Sequence, residues 1–77
     1  MSTKVISWSL STIRDHVLDV LRNALNLFFL DVEMRRVYLE DDKIVIEGEF
    51  SRYGTKKGGY KVVLRNENLS LVSYEIS

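Results

Sequence analysis

Apolar and polar positions along this 77-residue chain follow two periods, and the places where they change divide it into elements. In the opening stretch Ile6, Trp8 and Leu10 alternate with Ser7 and Ser9. That is the alternation of a half-buried strand, predicted over 4–9. From Ile13 onward the apolar positions are 13, 17, 20, 21, 24, 25 and 28, the i, i+3, i+4 rhythm of an amphipathic helix. Asp15, Asp19, Arg22, Asn23 and Asn26 gather on the opposite face. Ser11 or Thr12 can cap the helix, and Thr12 with Asp15 approximates a capping box. With neither Gly nor Pro to interrupt it, the helix is predicted over 11–29.

After Asp31 the alternation returns. Residues 33–40 read as a strand with Val37 and Leu39 on one face, Arg36 and Tyr38 on the other. Asp41-Asp42 is predicted as a tight turn, because Asp tolerates a left-handed backbone. A long strand follows over 43–53, with Ile44, Ile46 and Phe50 on one face and Val45, Glu47 and Glu49 on the other. Gly48 breaks its apolar series and predicts a bulge or a close crossing. Residues 54–59 carry Gly54, Gly58 and Gly59 and are expected to form a flexible loop. Strands are predicted over 60–65, with Tyr60, Val62 and Leu64 inward, and over 69–76, with Val72, Tyr74 and Ile76 inward.

The resulting order, β-α-β-β-β-β, describes a single α+β domain over 1–77, with one helix packed on one face of an antiparallel meander. The helix stripe Ile13, Val17, Leu21 and Phe28 is expected to bury itself on Ile44, Ile46, Val62 and Val72. This element order resembles that of cystatin- and monellin-like folds. Cystatin protease inhibitors place a Gln-x-Val-x-Gly hairpin between their second and third strands. Here that place reads Glu40-Asp41-Asp42-Lys43, so the resemblance does not imply protease inhibition.

Composition narrows the chemistry. A chain 45% hydrophobic and 29% charged can build a core. At this length it hides only about 60% of the surface its unfolded form exposes. Without Cys there is no disulfide, thiolate nucleophile or Cys-ligated metal site. The longest apolar run, Leu27–Leu30, is far short of the roughly 20 residues that span a bilayer. Met1 to Leu10 lacks the apolar core of an export signal, and a cytoplasmic location without membrane contact is expected.

His16, the sole imidazole, lies on the polar face of the predicted helix beside Asp15 and Asp19, with no nucleophile indicated near it. Asp41-Asp42 supplies too few ligands for calcium, and no phosphate-binding glycine loop is present. Neither catalysis, a cofactor nor a metal is expected. Glu47 and Glu49 read as cross-strand partners of bases, with Arg36 placed opposite Glu47.

Charge adds one local feature. Eleven basic and eleven acidic residues cancel overall, yet 52–65 holds five bases and no acid. Arg52, Tyr53, Lys56, Lys57, Tyr60, Lys61 and Arg65 form a basic, aromatic hairpin of the type that grips single-stranded nucleic acid. A second feature lies on the outer sheet face, where Tyr38, Val45, Val63 and Leu71 are expected to form an apolar row. The expectation is a small non-catalytic binding module that self-associates as a homodimer through this face or an edge strand. The alternative is nucleic-acid binding through the hairpin 52–65.

Overall fold

The computed structural model describes residues 5–52 and 56–77. Helix α1 spans Leu10–Leu25, followed by strands β1 (Asp31–Glu40), β2 (Lys43–Arg52), β3 (Lys56–Arg65) and β4 (Leu71–Ile76). The sheet order is β1-β2-β3-β4 with every neighbouring pair antiparallel. The α+β class, with one helix on an antiparallel meander, is as expected; several boundaries differ, each for a local reason.

Residues 5–9 form no strand, and Lys4 lies outside the described residues. One side chain takes the place of a neighbouring strand. Asn66 Nδ2 donates to the Val5 carbonyl at 2.9 Å, and the Ser7 N–H donates to Asn66 Oδ1 at 3.3 Å. Bonding the groups that flank Ile6 is what one residue of a parallel strand would do. The Trp8 indole then donates to the Asn66 carbonyl at 2.6 Å. Ile6 and Trp8 thereby rest against the core, which accounts for the alternation without a ladder.

Ser9, not Ser11 or Thr12, caps the helix. It is extended (φ −68°, ψ 154°), and its hydroxyl accepts from the Thr12 N–H at 3.2 Å. The helix stops at Leu25 because Asn26 turns left-handed (φ 55°, ψ 48°), a conformation Asn adopts more readily than most residues. Its N–H and that of Leu27, at 3.1 Å, both close on the Arg22 carbonyl. Leu27 turns toward the core, whereas Phe28 and Phe29 are 88% and 71% exposed. Phe28 is therefore no part of the buried stripe, which consists of Ile13, Val17, Leu18 and Leu21.

These four residues cover Ile44, Ile46, Val62 and Leu64. Leu69 completes the core by an unusual route. Its φ is 61°, its N–H donates to the Arg65 carbonyl at 2.8 Å, and its side chain is buried. A left-handed Leu costs about 1–2 kcal/mol. Burying the side chain returns about 1.5–3 kcal/mol, enough to hold the turn. The last strand accordingly begins at Leu71 and not at Leu69.

The expected loop over 54–59 is largely sheet, since β3 begins at Lys56. Two glycine–aromatic pairs explain this. Gly48 lies opposite Tyr60, and Gly58 opposite Phe50. A Cβ on Gly58 would stand 2.6 Å from the Phe50 ring. A Cβ on Gly48 would meet the Tyr60 hydroxyl and overlap the Glu33 carbonyl oxygen. Each glycine is a seat for the aromatic ring across from it. Gly48 is not itself bulged; the irregularity falls opposite it in β1, between Met34 and Arg36, where Arg35 is the extra residue.

Candidate functional site

The register places the outer-face side chains in rows across the sheet. Arg36, Glu47, Lys61 and Glu75 alternate in sign over all four strands. Arg36 Nη1 lies 3.2 Å from Glu47 Oε1, the pairing expected from sequence. Glu49 differs, because Gly59 stands opposite it in β3. Its partner is the bulged Arg35, whose Nη2 donates to Glu49 Oε2 at 2.9 Å while its Nε lies 3.7 Å from Glu33. Arg35, Arg36, Glu47, Lys61 and Glu75 line an open hollow with Gly48, Gly59 and Ser77. Arg36 and Arg35 are paired with Glu47 and Glu49, at surface-pair strengths of about 0–1 kcal/mol each.

The next row contains Tyr38, Val45 and Val63, as expected, but Ser73 ends it. Leu71 pairs with Leu64 instead, because Val72 is an extra residue in β4. One additional residue reverses the alternation beyond it, so Leu71 belongs with the core-facing row. Val45 is only 3% exposed, and the Arg36 guanidinium lies over the Tyr38 ring at 5.1 Å. The four-residue partner face of Tyr38, Val45, Val63 and Leu71 is not assembled, and the three residues that do align present little apolar surface.

The basic segment is also dispersed. Tyr60 is 5% exposed on the core side, and its hydroxyl donates to the Glu33 carbonyl at 3.0 Å. Burial pushes its pKa up to about 12, opposed in part by Arg14 and assisted by Glu33. Such a ring is closed to base stacking. Lys61 stands opposite both Glu47 and Glu75, and Arg65 opposite Lys43. At the other end of β3, Lys56 faces Arg52 and Lys57 faces Ser51 by backbone register. Tyr53 lies outside the described residues. The two ends of β3 are about 30 Å apart at strand rise.

His16 Nδ1 is 3.0 Å from the Thr12 carbonyl of its own helix. Among the described residues no His, Asp and Glu side chains gather as a metal-ligand group.

The exposed apolar surface of the sheet is at its β4 edge. Every residue of β4 except Ile76 is exposed, with Leu71, Val72 and Tyr74 at 46%, 40% and 46%. The helix leaves it uncovered because its backbone comes nearest to β1, at the opposite side of the sheet. The signal in the sequence was negative: Leu71–Ile76 has one charge, Glu75, and none of the lysines or prolines that usually guard an edge. Among the described residues no helix is long and apolar enough to cross a membrane.

No protein-family model, curated protein or solved structure matches this chain.

Proposed function

We propose that this chain is a small non-catalytic interaction module that self-associates along its β4 edge. The observation that carries the reading is an exposed edge strand bearing Leu71, Val72 and Tyr74, each at least 40% exposed, on a domain too small to bury them itself. Adding a strand there covers apolar surface and satisfies edge backbone groups together. Zero net charge offers no bulk repulsion between copies. The outer sheet face draws less support, since Val45 is already covered and charges around it are paired. Nucleic-acid binding through the 52–65 hairpin also draws less, because Tyr60 is buried and the bases are spread along β3.

Sedimentation tests the reading. Mass should rise from monomer to dimer with concentration, and Tyr74→Lys or Val72→Lys should hold the chain monomeric with its circular dichroism unchanged. Val63→Glu, on the outer face, should leave association intact. A concentration-independent monomer at high micromolar concentration overturns the proposal.

A further inference from the structure

We infer that the partner at this edge is a second copy of the chain, joined about a two-fold axis through Tyr74, so that the two sheets form one continuous eight-stranded sheet. This rests on the self-association proposed above and specifies its geometry. Backbone direction comes first. Gly59 and Ser77 exchange both bonds of a close pair, Gly59 N–H to Ser77 O at 3.2 Å and Ser77 N–H to Gly59 O at 2.9 Å. In an antiparallel ladder such pairs alternate with pairs that exchange none. The register runs unbroken from Tyr60↔Ile76 to Val63↔Ser73. Glu75 and Ser73 therefore spend their N–H and C=O groups on β3, while Ile76 and Tyr74 turn theirs to the outer edge.

The choice of axis follows from these directions and from the faces. A two-fold perpendicular to the sheet maps the helix-bearing face onto itself, and facing residues in an antiparallel pair share a face. An axis between two residues would set a core-side position against an outer one, and is excluded. An axis through Ser73 or Glu75 would place a non-bonded pair at the centre, an allowed arrangement, but each pairs fewer residues of β4, and at Glu75 two carboxylates would stand opposed. Tyr74 gives the longest overlap, since pairing about it takes in 71–77 of both copies, against 71–75 about Ser73 and 73–77 about Glu75. It sets Tyr74 against its own copy, Ile76 against Val72, and Glu75 against Ser73. No like charges meet. On the core side Ile46, Val62 and Tyr74 of one copy run directly into Tyr74, Val62 and Ile46 of the other.

Because the chain has no Cys, single introduced cysteines report this geometry without background. Tyr74→Cys should oxidise to a covalent homodimer, since a bonded pair holds its Cα atoms about 5.5 Å apart, within disulfide reach. Ser73→Cys and Glu75→Cys should not link to themselves, their like Cα atoms being about 8 Å apart, beyond that reach. Mixed together, those two should link to each other, with Tyr74 intact in both. In the unmodified chain, dimerisation should slow amide exchange at Tyr74 and Ile76 at least about tenfold, leaving Ser73 and Glu75 unchanged. A dimer in which Ser73→Cys or Glu75→Cys links to itself, or in which no β4 position links, overturns the Tyr74 axis while self-association stands. A chain that stays monomeric, or whose β4 takes up only an extended peptide of another sequence, overturns the second copy altogether.

Discussion

The two edges of this sheet are built from similar alphabets and finished differently. At β1 the bulge lifts Arg35 out of the ladder, and its guanidinium reaches Glu49 and approaches Glu33. Arg36 beside it pairs with Glu47 and covers Tyr38. The core-side residues Val32, Met34, Val37 and Leu39 are buried or half-buried beneath the helix end of the domain. At β4 a bulge is also present, at Val72, but the residues around it are apolar and open. A bulge alone does not close an edge. Charge on the strand and a helix nearby close β1, and β4 lacks both, which is why the proposed interface falls there.

The largest effect that would break this contrast is at Gly48. Gly48→Ala puts a methyl group into the Glu33 carbonyl, so β1 must move away from β2 at its bulge. The expected cost is about 3 kcal/mol, read by urea denaturation, with amide protection lost first in β1. Retained stability would show that the bulge absorbs the strain.

Tyr60→Phe acts at the same place from the far side of β2. Losing the hydroxyl bond to Glu33 leaves a half-satisfied carbonyl and should cost about 1 kcal/mol. It should also change the alkaline limb of stability. The phenol loses its proton less readily in the folded chain, at about 12 against an ordinary 10.0, so the folded state holds the proton more tightly. This contribution is complete below pH 10 and is lost as pH climbs through about 12. Thermal unfolding followed across that window should fall less steeply in Tyr60→Phe than in the parent chain.

The smallest effects sharpen the contrast. Arg35→Ala removes exposed ion pairs and should cost only about 0.5 kcal/mol in chemical denaturation, because solvent screens them. Val72→Lys should change the fold by no more than about 0.5 kcal/mol, being exposed. If association is lost in Val72→Lys and not in Arg35→Ala, the functional edge is β4; equal losses would put the interface elsewhere.

Much of this was legible along the chain. The i, i+3, i+4 run located α1 and its stripe, and Asp41-Asp42 formed the expected turn, with Asp41 at φ 56°. Counting outward from that turn placed Arg36 opposite Glu47. In the leading stretch, amphipathic alternation needs only one buried side and no ladder. Residues 5–8 satisfy it with Ile6 and Trp8 against the core and Asn66 holding the backbone. The helix end was not legible along the chain, because Asn26 resembles any polar-face residue until its backbone turns left-handed. Gly58 and Gly59 suggested a loop, although Gly58 accommodates Phe50.

What sequence by itself determined is the class of element and the side each residue takes within an uninterrupted stretch, since both follow from local period. Tertiary structure alone decided the two bulges, the left-handed Leu69 and the placement of the helix toward β1. A single extra residue at Val72 reverses the faces beyond it, moving Leu71 out of the predicted outer row, at no visible change in composition. Exposure of β4 likewise depends on where the helix comes to rest, and that is set by the best burial of Ile13, Val17, Leu18 and Leu21 together. Those are energies of the whole assembly, which no window of the chain contains.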